Sequence, residues 1–201
     1  MRVIGITGGV GSGKTRVLEY LKTKYHCRIL LADEAARRLQ EPGGVCHGQI
    51  AALLGGRVLA RDGRIRRDVM AELIFGDADK LAAVNAIVHP AVRACILQEI
   101  EKERRKGNVD FFFLEAALLI ENGYDTVVEE LWYVRADEAL RRERLKASRG
   151  YSDAKIDGIL AAQLSDAAYR AHCSFVIDNS GELADTCEQI DRKMGEYLWK
   201  K

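Results

Sequence analysis

Val3-Ile4-Gly5-Ile6-Thr7-Gly8-Gly9-Val10-Gly11-Ser12-Gly13-Lys14-Thr15 decides how the chain folds. An uncharged, β-rich segment runs into the pattern G-x-x-x-x-G-K-[ST], and Val17, Leu18 and Leu21 follow at helical spacing, which gives the order strand, loop, helix. Glycine has no Cβ, so successive backbone N–H groups can turn inward on an anion, and the following helix adds the positive end of its dipole. That chemistry suits polyphosphate oxygens. Gly9, Val10, Gly11, Ser12, Gly13, Lys14 and Thr15 are therefore the candidate nucleotide-binding residues. Lys14 would bridge the β- and γ-phosphates of ATP, and Thr15 would hold Mg²⁺. A purely structural glycine turn is the alternative, and the flanking strand and helix argue against it.

Outward from this stretch, further apolar runs fall at 28–32, 109–114, 131–134 and 175–177, separated by helical patterns of eleven residues or more. Such alternation predicts an α/β fold with a parallel sheet flanked by helices. Between Asp33 and Val109 the alternation stops, and 35–40, 46–54, 69–75 and 77–106 all read as helix, with Pro90 expected to start or kink a helix at His89. After Val134 two more helices are expected at 137–145 and 153–164, joined by 148–152, with Ser152 as an N-cap. The expected organisation is a nucleotide-binding core of 1–34 with 109–136 and 171–201, a helical substrate-binding insertion at 35–108 and a helical lid at 137–170.

With 201 residues and 48% hydrophobic content the chain can bury a substantial core without disulfide or metal staples. Lys and Arg number 31 against 30 Asp and Glu, so no overall field draws nucleic acid or an anionic membrane, and anion binding must be local. Cys27, Cys46, Cys95, Cys173 and Cys187 form no C-x-x-C pair and read as buried thiols of a reducing compartment. The N-terminus reads straight into a strand, and no apolar stretch is seen to reach the roughly 18 residues a membrane helix needs. A cytoplasmic protein is expected, without a membrane or nucleic-acid partner, as a monomer or weak homo-oligomer.

A phosphate-binding loop leaves the reaction open, and three features address it. Asp33 follows the run ending at Ala32, which sets a carboxylate at the carboxyl edge of a strand, where parallel sheets place ligands. A carboxylate there can orient a hydroxyl acceptor and take its proton late; the alternative is an N-cap for the helix at 35–40. Glu115 closes Phe111-Phe112-Phe113-Leu114 and is a candidate for holding magnesium through water, or else an ordinary strand-end acid. Arg135, Arg141, Arg142, Arg144, Lys146 and Arg149 make one locally basic stretch. Its guanidinium groups could close over transferring phosphate and exclude water, or form a solvated face paired with Asp137, Glu138 and Glu143. A guanine-reading Asn-Lys-x-Asp motif is absent, which weighs against a nucleotide switch. A kinase for nucleoside monophosphates or another small metabolite would share the loop and lid.

These residues together resemble the dephospho-coenzyme A kinase family over nearly the whole chain. Residues Gly5 to Thr15 are similar to its opening motif; Ala32-Asp33 with Arg37, then Glu41-Pro42-Gly43, to its second block. Asp62-Gly63-x-x-x-Arg67 and His89-Pro90-x-Val92 match its substrate-domain pattern, and Leu118-Leu119-x-Glu121, Arg144-Leu145, Gln163 and Val176-Ile177-Asp178-Asn179 follow in family order. The resemblance implies transfer of the ATP γ-phosphoryl group to the ribose 3′-hydroxyl of dephospho-coenzyme A, on a three-layer core bearing a helical substrate domain and a lid. It implies that Asp33 activates the hydroxyl, that Arg144 contacts phosphate from the lid, and that Arg37, Arg67, His89 and Arg93 serve the acceptor. The chain departs from the pattern at Ala117 and Ile120, at Glu115 for aspartate, and at Cys173-Ser174. In the lid Arg141 stands for a common glutamine, and Ser148 falls where a second arginine is expected, with Arg149 one residue on. None of these departures touches Lys14, Thr15 or Asp33.

Overall fold

The computed structural model describes residues Met1–Trp199. Two compact units form, one from 1–29 with 107–201 and one from 30–106. Five strands, β1 (Arg2–Thr7), β2 (Cys27–Leu31), β3 (Phe111–Glu115), β4 (Glu130–Arg135) and β5 (Phe175–Asp178), make one sheet in the order β2-β3-β1-β4-β5. The β1–β3, β1–β4 and β4–β5 pairings are all parallel. In β1, β3 and β4 consecutive residues are buried, so both faces of the sheet are covered, which is why these strands read as unbroken apolar runs. The fold is α/β with a central parallel sheet, as the sequence pattern predicts.

In the first unit β1 feeds α1 (Lys14–Lys24), and the chain closes with α9 (Leu183–Leu198). Phe111, Phe113, Trp132 and Phe175 share a sheet face, and Tyr197 of α9 packs its ring against Phe111 and Trp132. Tyr133 points to the opposite face and stacks on Tyr169 at 4.6 Å between ring centroids. Three helices follow β4: α6 (Glu138–Arg149), α7 (Asp153–Ala161) and α8 (Asp166–His172).

Two expectations for this stretch need correction. Ser148 and Arg149 lie within α6 and not in the connection after it. The helix expected over 153–164 stops at Ala161, and a separate α8 begins after Ser165, whose hydroxyl accepts from the Ala168 N–H. Ser152 does cap α7, accepting from Lys155 N–H.

The second unit is helical: α2 (Ala32–Leu39), α3 (His47–Leu54) and α4 (Arg67–Ile74) all pack on α5 (Ala78–Lys106). Val84, Val92, Ile96 and Ile100 give α5 its buried stripe. Pro90 lies inside α5 and begins no helix. By length and composition α5 is long and apolar enough to cross a membrane, contrary to the expectation that no stretch reaches that limit. Here it serves as the packing post for three shorter helices.

All five cysteines are free, and of them Cys46 alone is buried, so the expectation of buried thiols holds for that one position. Burial pushes the Cys27 and Cys173 thiols up to about 11, away from reactive thiolate character.

Candidate active site

Parallel strands bring Thr7, Glu115, Arg135 and Asp178 to the same edge of the sheet. The loop of residues 8–13 leaves β1 at that edge, where the connection from β1 runs one way along the sheet to β2 and the connection from its neighbour β3 runs the other way to β4. This is the switch point at which α/β sheets bind ligands. Gly13 is the N-cap of α1 at φ 91°, with no side chain capping the helix. The positive end of α1 is thus left to whatever lies in the loop. The hydroxyls of Thr7 and Ser12 are buried and have no hydrogen-bond partner among the described residues.

The Lys14 ammonium folds back over the loop, donating to the Gly8 carbonyl at 2.6 Å and the Gly9 carbonyl at 3.4 Å. It stands 3.9 Å from the Glu115 carboxylate, with both side chains largely shielded from solvent. Glu115 is therefore at the mouth of the loop, one register step across from Ile6. Thr15 is exposed in the first turn of α1. One hydroxyl and one carboxylate are hard oxygen donors that suit Mg²⁺, which keeps several waters and completes its shell with phosphate oxygens. Among the described residues no group of three or more His, Cys, Asp or Glu forms a dedicated metal cage.

Cations from α6 line the outside of the same loop. The Arg144 guanidinium donates to the carbonyls of Ser12 at 3.3 Å and Asn179 at 3.1 Å. Burial, then the nearby Arg16 charge, pulls its pKa below the ordinary guanidinium value. An anion beside the Arg144 guanidinium would favour its charged form. Arg141 donates to the Val10 carbonyl at 2.9 Å and to Gln163 Oε1 at 2.5 Å. Behind the loop the Asn179 carboxamide donates to the Ser12 carbonyl at 2.7 Å and is itself held by the Thr186 hydroxyl at 3.0 Å.

The residues proposed from sequence thus fall into two sets. Gly9 through Thr15, Glu115 and Arg144 come together in the first unit. Arg149 is exposed in the last turn of α6, its guanidinium 5.8 Å from the Tyr151 ring centroid, while Ser148 turns its hydroxyl back to the Arg144 carbonyl at 2.6 Å. Asp33, Arg37, Arg67, His89 and Arg93 belong to the second unit. Asp33 and Arg37 are exposed and one turn apart on α2, and His89 and Arg93 are half-buried and one turn apart on α5. Arg67 opens α4, 3.9 Å from the Glu41 carboxylate, which Arg64 also approaches at 3.6 Å. Asp33 lies inside the first turn of α2, whose N-cap is Leu31, so the capping alternative does not describe it. Gln163 and Asn179 were recognisable only as markers of the family pattern and Arg141 only as one cation of the basic stretch; their grip on the loop comes from tertiary structure.

A model of the dephospho-CoA kinase family matches residues 2–185. A dephospho-CoA kinase of Geobacter sulfurreducens is 35% identical over 201 residues, spanning 100% of this chain and 98% of its own. Among solved structures, one from Thermus thermophilus superposes with a TM-score of 0.84 at 28% identity, covering 98% of this chain and 97% of that one. The dephospho-CoA kinase from Campylobacter jejuni gives 0.73 at 19% identity and 98% coverage of both chains, a likeness of fold.

Proposed function

This chain belongs to the dephospho-CoA kinase family, and on that premise we propose that it transfers the γ-phosphoryl group of ATP to the ribose 3′-hydroxyl of dephospho-coenzyme A. The observation that carries the reading is the Lys14 ammonium held over the loop's carbonyls, 3.9 Å from Glu115, at the mouth of an uncapped helix. That arrangement suits a triphosphate whose terminal group is to be transferred. Loop N–H groups and Lys14 would bind and orient the phosphates, Lys14 exchanging its loop carbonyls for phosphate oxygens. Thr15 and Glu115 would hold Mg²⁺, which when bound supplies neutralising charge on the β- and γ-phosphate oxygens.

In the transfer the acceptor oxygen forms a bond to the γ-phosphorus, the bond to the β,γ-bridging oxygen breaks, and ADP leaves. The hydroxyl proton passes to the Asp33 carboxylate, which also aligns the hydroxyl. Arg37, Arg67, His89 and Arg93 are assigned to the acceptor. Residues 137–170 act as the lid. Arg144 already borders the loop, whereas Arg149 stands against the Tyr151 ring. Exclusion of water by that lid separates transfer to the ribose from hydrolysis.

The test is incubation with ATP, Mg²⁺ and dephospho-coenzyme A, with mass detection of the 3′-phosphorylated product, beside a panel of nucleoside monophosphates. Preferred phosphorylation of another acceptor would overturn the substrate reading. Asp33→Asn is expected to lower kcat by about 10²- to 10⁴-fold with the far-UV spectrum unchanged; wild-type turnover would remove Asp33 from its role.

A further inference from the structure

Val10, at the tip of the loop, has both of its backbone polar groups engaged by side chains from the helical segment after β4. Its carbonyl accepts from Arg141 Nε at 2.9 Å, and its N–H donates to Gln163 Oε1 at 3.3 Å. The same Oε1 accepts from the Arg141 guanidinium at 2.5 Å, which closes a three-membered circuit. All three groups are shielded in part from solvent. The circuit also fills the space beside Gly9: a Cβ there would lie on the Arg141 guanidinium and 2.8 Å from Gln163 Oε1. Arg141 comes from α6 and Gln163 from the connection between α7 and α8, so two parts of the segment grip one peptide.

We propose that Arg141 and Gln163 act as one positioning unit that sets the Val10 peptide, and so the shape of the phosphate loop for the donor nucleotide. This deepens the kinase reading and rests on it. A loop of glycines is conformationally free, and an anion cradle gains affinity when its N–H groups are fixed before the anion arrives. Lys14 and Asn179 fix the loop's base, at Gly8, Gly9 and Ser12; the Arg141–Gln163 pair fixes its tip. Arg142, one residue along α6, points elsewhere, to Glu138 at 2.9 Å and Asp157 at 2.6 Å, and ties α6 to α7 without touching the loop.

These contacts define the experiment. ATP affinity is measured by calorimetric titration, and steady-state KM and kcat are measured with the acceptor saturating. The panel is wild type, Arg141→Ala, Gln163→Ala, the double variant, and Arg142→Ala as the control that loosens the segment elsewhere. Loss of the charged contact to Val10 is expected to weaken ATP binding and raise its KM by about 10- to 100-fold, with kcat changed far less. The double variant is expected to lose little more than Arg141→Ala alone, because the two side chains share one acceptor and one peptide. Arg142→Ala is expected to leave ATP affinity within about twofold. Wild-type affinity in Arg141→Ala would overturn the proposal, as would strictly additive losses or an equal loss in Arg142→Ala. If the wild-type chain itself fails to bind ATP, the kinase reading falls first, which separates the two failures. Melting of the ligand-free variants guards against misfolding: the proposal requires the ATP-dependent rise in Tm to shrink while the ligand-free Tm holds.

Discussion

At Gly13 the backbone stands at φ 91°, ψ 21°, a left-handed conformation that costs an L-residue roughly 1–2 kcal/mol. The space beside it is also taken. A Cβ would lie on the Asn179 carboxamide nitrogen, which donates to the Ser12 carbonyl. Asn179 is buried and hydrogen-bonded on both ends of its amide, so it cannot swing aside without abandoning Ser12 or Thr186. Adding the strain to about 1 kcal/mol for a displaced buried hydrogen bond, Gly13→Ala should destabilise the protein by about 2–3 kcal/mol. Urea unfolding followed by far-UV CD would measure it; a loss under about 0.5 kcal/mol would mean that the loop relaxes freely.

Among the elements, strands were legible because β1, β3 and β4 are buried on both faces and so write themselves as unbroken apolar runs. The glycine loop was legible because its constraint is local. The end of α7 was not: Leu160 and Leu164 continue a helical spacing across the break, and only the Ser165 hydroxyl on the Ala168 N–H resets the chain. The contacts of Arg141 and Asn179 with the loop span 131 and 167 residues, distances over which periodicity carries no information. Pro90 misled in the other direction, since a proline inside a helix normally marks a boundary, yet packing of three helices along α5 carries it through. Inside a helix proline costs roughly 3 kcal/mol through a missing N–H and ring clash, offset by up to about 1 kcal/mol from a stiffer unfolded chain. Pro90 is exposed, so alanine there forfeits little packing. Pro90→Ala should therefore stabilise the helical unit by about 2–3 kcal/mol, read as a higher denaturant midpoint at constant m-value. A lower midpoint would show that α5 is bent to fit its neighbours.

For the whole molecule, the division into two units sets an expectation about where each substrate leaves its mark. The loop, Lys14, Glu115, Arg144 and the Arg141–Gln163 pair all belong to 1–29 with 107–201, whereas Asp33, Arg37, Arg67, His89 and Arg93 all belong to 30–106. A ligand stabilises what it binds, by about 2.7 kcal/mol at a concentration one hundred times its Kd, and local opening slows in proportion. If the first unit is the donor unit, Mg·ATP alone should slow amide exchange at the loop, the start of α1, α6 and Asn179, and leave α2, α4 and α5 nearly unchanged. Dephospho-coenzyme A alone should slow exchange in the helices of 30–106. The effect at 100-fold excess corresponds to about a hundredfold slower exchange at amides that open locally, well above the resolution of peptide-level mass spectrometry. Because the donor half of this expectation depends on loop geometry and the acceptor half on the five residues of the helical unit, the two halves can fail separately. Protection of 30–106 by ATP alone, equal to that of the loop, would overturn the assignment of donor and acceptor to different units while leaving the family membership untouched.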